Sequence, residues 1–214
     1  MVLPDRRTLL VLASLIAAMT VTAGVLILLE PGPVAPVTGI SLTSIDRAGQ
    51  ARDTLFATSP APQPGRWGAI VIHHSDSDSG SAKSIGQFHE KIGIKGGLGY
   101  HFVIGNGKGA PDGQVEVGYR WRHQLSGVHA SGADGKWYNE NAIAFCIVGE
   151  CNKEEPTAAQ MRELYWLVQQ LQARFHLPAS RVFLHSDIAQ TSSPGKLFPI
   201  ANFRQQLLPI PETR

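Results

Sequence analysis

The sequence predicts a mixed α/β domain, a central mixed β-sheet flanked by helices, preceded by an N-terminal transmembrane helix and a linker. Three observations carry that prediction. Short β-branched apolar runs recur between residues 69 and 185, stretches with helical spacing of apolar residues fall between them, and one long uncharged apolar run stands apart near the N-terminus. Strands alternating with helices along one stretch of chain read as a layered sheet-and-helix fold. The chain has 214 residues, 43% hydrophobic and 17% charged, enough to bury a sizeable core. A formal net charge of only +2 excludes a strongly electrostatic nucleic-acid binder, so no nucleic-acid partner is expected.

Taken in order, residues 1–8 carry Arg6 and Arg7 and read as a cytoplasmic N-terminus. Residues 9–29, Leu9 to Leu29, are apolar without a charge. That length matches the roughly 20 residues a helix needs to cross a bilayer. Glu30-Pro31-Gly32-Pro33 follows instead of a small-x-small cleavage site, so the segment reads as an uncleaved anchor, with a cleaved signal peptide as the alternative. The expected location is the plasma (inner) membrane, single-pass, with the rest of the chain facing the periplasm or exterior. Residues 30–66 are rich in Pro, Ala, Ser, Thr and Gly and read as a linker. Residues 67–208 then form the domain.

Within it, Ala69-Ile70-Val71-Ile72-His73 reads as a buried strand, and Ser81–Ile92 as a helix with Ile85, Phe88 and Ile92 on one face. Tyr100–Ile104 is a second strand, stopped by Gly105-Asn106-Gly107, and Val115–Trp121 a third. Ala142–Val148 is apolar throughout and therefore expected at the centre of the sheet. Thr157 and Gln160 form a capping-box pair ahead of Met161, Leu164, Val168, Leu171 and Phe175, which line one helix face before Pro178. Val182–His185 is the last strand and Ile200–Leu208 a closing helix. Cys146 and Cys151 fit no zinc-finger spacing and are either a local disulfide or two free thiols.

The chemistry centres on histidine. His73 and His185 each end an apolar strand and open a loop rich in Ser and Asp, and strand ends on one edge of an α/β sheet are where sites are built. Two such imidazoles suit a zinc ion, which in catalytic sites takes three protein ligands and keeps one position for water. Trp121, Trp137 and Tyr138 offer aromatic faces for sugar rings, or serve the core. His89, His101, His123 and His176 read as structural or solvated.

Five segments, in order, resemble the zinc-dependent N-acetylmuramoyl-L-alanine amidases, whose fold the animal peptidoglycan-recognition proteins share. They are Ile70-Val71-Ile72-His73-His74-Ser75, Leu98-Gly99-Tyr100-His101-Phe102-Val103-Ile104, Gly127-Val128-His129-Ala130, His185-Ser186-Asp187-Ile188-Ala189 and Pro194-Gly195. The resemblance implies His73 and His185 as zinc ligands, Tyr100 beside the attacking water or polarised carbonyl, and Thr191 at the oxyanion. It implies His129, with His74 and Asn139, along the substrate groove, although strand alternation turns His74 to the opposite face from His73. The implied third ligand position holds Ser193, where the family has Cys or Asp; a neutral hydroxyl is a much poorer zinc ligand than a thiolate or carboxylate. Asp187 is expected to serve behind the ligands, and Cys146 stands where some relatives carry a glutamate base. Two functions follow from the resemblance. One is hydrolysis of the amide between N-acetylmuramic acid and L-alanine with zinc as cofactor; the other is a peptidoglycan or muropeptide receptor with the chemistry weakened or lost.

Overall fold

The computed structural model describes residues 5–7 and 52–212. The chain divides into two units, residues 1–50 and 51–214, and the domain lies in the second. The expected anchor over 9–29 lies outside the described residues; among these, no helix is long and apolar enough to cross a membrane.

Five strands form one sheet in the order β3-β2-β4-β1-β5. They are β1 (Ala69–His74), β2 (Phe102–Ile104), β3 (Val115–Val117), β4 (Ala142–Ile147) and β5 (Val182–Leu184). Parallel pairing joins β1 to β4 and β5 and β2 to β4, while β3 runs antiparallel to β2, so the sheet is mixed as expected. β4 is central, and every residue of it is buried. The helices are α1 (Ala82–Lys91), α2 (Tyr119–Arg122), α3 (Gly135–Asn141), α4 (Ala158–Phe175), α5 (His185–Ile188) and α6 (Ile200–Gln205).

Alternation along the strands sorts the core into two faces. Ile70, Ile72, Phe102, Ile104, Ile143, Phe145 and Ile147 meet Leu164, Leu167, Val168 and Leu171 of α4, with Phe203 of α6 closing that layer. Each such side chain contributes about 1.5–3 kcal/mol when fully buried. α4 starts where its sequence says it should: the Thr157 hydroxyl accepts the Gln160 N–H and the Gln160 side chain accepts the Thr157 N–H. It ends at His176, whose left-handed conformation (φ 53°) stops the helix before Pro178. On the opposite face, Val103, Cys146 and Val148 pack against Ile85 of α1 and Leu98.

Several expectations need correction. The third strand ends at Val117, and Tyr119–Arg122 turns into a helix instead of continuing to Trp121. Tertiary packing explains the turn: Trp121 is fully buried against Phe102 and Trp67, and its indole N–H donates to the Leu55 carbonyl at 2.9 Å. Trp121 is therefore core and unavailable to a sugar. The linker expected over 30–66 does not extend to Trp67, because Leu55 and Phe56 pack on the core and Arg122 donates to the Thr54 and Ala57 carbonyls. On α1 only Ile85 of the expected apolar face is buried; Phe88 and Ile92 are 59% and 58% exposed. His185 begins α5 instead of ending β5. Both cysteines are free thiols.

Candidate functional site

The alternation that buries Ile70 and Ile72 under α4 turns His73 to the α1 face, beside Cys146, its register partner on β4. On β5, Val182 and Leu184 face α4, and the chain delivers His185 one residue later, at the same sheet edge. Tyr100 enters from the segment before β2. The result is a cleft of about 620 Å³ lined by His73, His74, Tyr100, His185, Thr191 and Ser193, with Ile85 and Phe88 of α1 on one wall and Ser75, Ser77 and Ser79 on another.

His73 is the hub. Its ring centroid lies 4.3 Å from that of His185, 5.0 Å from His129 and 5.2 Å from Tyr100. Its Nε2 stands 3.1 Å from His129 Nδ1. Burial, followed by the neighbouring His129 and His185, holds the His73 pKa well below the usual imidazole range. Burial likewise lowers His185, and lowers His129 to about 3. The cluster is therefore neutral at pH 7 and presents lone pairs. The Nε2 atoms of both His129 and His185 are buried without a hydrogen-bond partner. Burial pushes the Tyr100 phenol upward, so it stays protonated and acts as an O–H donor.

The loop after α5 closes the cleft. Ser193, 6% exposed, accepts the His74 backbone N–H on Oγ at 3.2 Å. It donates its own N–H to Thr191 Oγ1 at 3.1 Å and accepts the Ser186 N–H on its carbonyl at 2.8 Å. Two residues on, Gly195 adopts φ +110°, and a Cβ there would lie 2.4 Å from the Cys151 backbone carbon, so only glycine fits this crossing. Cys151 in turn donates its N–H to His74 Nδ1 at 3.1 Å. Burial raises the Cys151 thiol to about 11 and the Cys146 thiol further, so neither is an anion at neutral pH.

Of the residues expected from sequence, His73, His74, Tyr100, His185, Thr191 and Ser193 come together at the cleft. His129 lies behind His73 and is not part of the cleft wall. Asn139 is committed elsewhere: its Oδ1 accepts the His129 and Ala130 N–H groups at 2.8 and 2.9 Å, and its Nδ2 donates to the Ala130 carbonyl. It holds the loop that presents His129, where groove lining was expected. Asp187 accepts the Leu184 N–H at 2.8 Å and pairs with Arg204, fixing the junction of β5 and α5 behind His185. Sequence reasoning passed over Arg120, whose buried guanidinium donates to the Leu98, Ser126 and Lys95 carbonyls and braces the segment leading to Tyr100. Its only signal in the sequence was an arginine set between Tyr119 and Trp121.

Two of the donors implied for zinc fit that ion: His73 is buried and His185 half-buried, burial lowers the pKa of both so that each is a neutral imidazole, and His185 Nε2 has no hydrogen-bond partner. Ser193 does not fit, being a neutral hydroxyl already engaged by His74. Among the described residues, no three His, Cys, Asp or Glu side chains already close around one point.

A mixed α/β sheet whose strand ends gather neutral imidazoles beside a phenol and a threonine hydroxyl defines a domain of amide-hydrolase type. Residues 63–196 match the N-acetylmuramoyl-L-alanine amidase family over more than half of the chain, and the protein belongs to it. Among solved structures, it is similar to the N-acetylmuramoyl-L-alanine amidase LysC from Clostridium intestinale URNW. The identity is 28%, covering 66% of this chain and 85% of that one, with a TM-score of 0.56. It shares its fold with bumblebee PGRP-SA, at 21% identity over 68% of this chain and 86% of that one, TM-score 0.54. It also shares it with peptidoglycan recognition protein-LE, solved in complex with tracheal cytotoxin, at 22% identity over 71% and 89%, TM-score 0.53. No curated protein matches the sequence.

Proposed function

We propose that the domain hydrolyses the amide between the lactyl group of N-acetylmuramic acid and the L-alanine of the stem peptide in bacterial peptidoglycan. The observation that carries this reading is the pairing of His73 with His185 at the cleft, with the buried His185 Nε2 left without a partner. An unsatisfied buried nitrogen costs about 1–3 kcal/mol; a surface that only held sugar and peptide would have no use for it.

His73 and His185 would hold zinc, which when bound supplies a Lewis acid for the carbonyl and a water acidic enough to attack at neutral pH. Tyr100, kept protonated by burial, donates its O–H to an oxygen of the reacting amide. Thr191 Oγ1 accepts from the Ser193 N–H, leaving the hydroxyl proton free to be donated to the oxyanion. The Ser75–Ser79 loop provides hydroxyl groups for sugar and peptide. The apolar run over 9–29 supports a single-pass attachment that holds this domain outside the cytoplasm.

A second reading, a muropeptide receptor of the same fold without turnover, is favoured by one observation: the neutral, engaged Ser193. Full-length protein incubated with zinc and purified sacculi separates the two. Hydrolysis releases stem peptides with new L-alanine amino termini, and His185→Ala abolishes that release. Retention on sacculi with no new amino termini would establish the receptor reading.

A further inference from the structure

The structure assigns this domain a second binding site, for a pyranose ring of a polysaccharide chain, in the pocket beside Trp137 at the sheet edge opposite the cleft. The assignment does not rest on the amidase reading.

Topology builds the pocket. β1, β4 and β5 run parallel, with Ala69 level with Ala142 and Ile70 level with Val182, so the three strands start at one edge. The cleft takes its histidines from the other edge, where β1 and β5 end. The six residues of β1, at about 3.3 Å each, set the two edges roughly 20 Å apart. The chain enters the three strands through Gly68, through α3 and through a 3-10 turn over Ala179–Arg181. Residues from all three entries line a pocket of about 500 Å³, the size of a small-ligand site.

Trp137 is its platform. Of the aromatic residues open to a sugar or to the core, Trp121 is core and Tyr138 packs edge-on against Phe183 of β5. Trp137 stays 42% exposed. The buried Trp67 and Trp121 each donate the indole N–H to a protein oxygen, and among the described residues Trp137 has no such partner. Its ring is nonetheless held in place, because Tyr138 meets it at 89° with centroids 5.1 Å apart. A Cβ on Gly68 would already touch its Cζ2 at 3.7 Å, so glycine there leaves the ring uncovered. A rigid aromatic face loses little entropy when a ligand stacks on it.

The walls supply what hydroxyl groups need. Arg181 is exposed and brings the planar donor set of a guanidinium. Ser180 donates its hydroxyl to Glu212 Oε1 at 2.6 Å, which holds that carboxylate at the pocket with its second oxygen as an acceptor. One cation and one anion favour a neutral polar ligand over a charged one. A pyranose has an apolar C–H face for the indole and hydroxyl groups around its edge for Arg181 and Glu212. A wholly apolar ligand would desolvate both charges without replacing their hydrogen bonds.

Detergent-solubilised full-length protein is titrated with peptide-free glycan strands of peptidoglycan. Trp137→Ala should weaken binding by about 10-fold or more, as removal of an aromatic anchor does. His185→Ala, at the cleft, should bind as the wild type does. In the wild type the indole N–H resonance of Trp137 should shift on titration, a readout that needs no variant to fold. A wild type that does not bind the strands, an unmoved Trp137 resonance, or binding lost in His185→Ala and kept in Trp137→Ala would each overturn the assignment. Hydrolysis of soluble muropeptides reports the cleft alone and should be equal in wild type and Trp137→Ala. Its absence from the wild type would remove the amidase reading and leave the glycan site standing.

Discussion

His101 is fully enclosed and uses both ring nitrogens: Nδ1 accepts the Ala144 N–H at 2.9 Å, and Nε2 faces the Leu125 carbonyl at 3.0 Å. That arrangement defines the neutral tautomer with its proton on Nε2. Burial first, then nearby arginines, lowers its pKa to about 4. A folded value below the unfolded one, about 6.5, means that the unfolded chain takes up the proton first. The stabilisation is complete above pH 6.5 and is lost as the pH falls toward 4. Between pH 7 and pH 5 this single group should lower unfolding free energy by about 2 kcal/mol. Urea midpoints at the two pH values test this; an equal midpoint at both would contradict the neutral tautomer. Asn139 gives a second residue-scale prediction. Asn139→Ala leaves two N–H groups and one carbonyl of the His129 loop without their partner. The expected loss is about 1–3 kcal/mol of stability, and amidase turnover should fall although Asn139 does not line the cleft.

At the scale of elements, the N-terminus of α4 is fastened to the sheet by Gln160. Its Oε1 completes the capping box with Thr157, while its Nε2 donates to the carbonyls of Ile104 and Val148 at 3.0 and 2.8 Å. These carbonyls terminate β2 and follow β4, so the residue that starts the helix also closes two strand ends. Gln160→Ala should cost about 2–4 kcal/mol, a cap plus two buried carbonyls left unpaired. Thr157→Ala, which removes the cap and the hydroxyl's exposed hydrogen bond to Asp112 but leaves the sheet contacts of Gln160, should cost about 1–2 kcal/mol. Equal losses in chemical denaturation would show that the sheet contacts contribute nothing. The far end is held the same way, with Gln172 donating to the Leu177 carbonyl and accepting the Leu208 N–H.

For the whole molecule, the domain and the N-terminal run have to be tested as one chain. Full-length protein should sediment with membranes and resist high salt and carbonate, because an apolar segment of this length partitions into hydrocarbon. A soluble product beginning near about residue 30–40 would identify a cleaved signal instead. The cleft lies in residues 51–214, so a soluble fragment of that unit should still be retained by purified sacculi. Failure of both full-length protein and fragment to bind sacculi at moderate salt would remove the common ground of the hydrolase and receptor readings.

What the sequence by itself determined is what periodicity and order carry. β-branched runs marked β1 and β4, the Thr157–Gln160 pair marked the start of α4, and His73 and His185 at strand ends marked one sheet edge. Those features are local, and the chain near each residue decides them. Tertiary packing decided the rest. Nothing near Tyr119–Arg122 in the sequence forbids a strand; burial of Trp121 against Phe102 and the anchoring of Arg120 to the distant Leu98 and Lys95 carbonyls and the nearby Ser126 carbonyl make it a helical turn. Residues 52–66 have the composition of a linker, yet Leu55 and Phe56 find an apolar surface that the fold creates. The contact between His129 and His73 was not legible in the sequence, because this 3.1 Å approach spans fifty-six positions of chain and exists only once β1 and the Asn139-held loop are assembled.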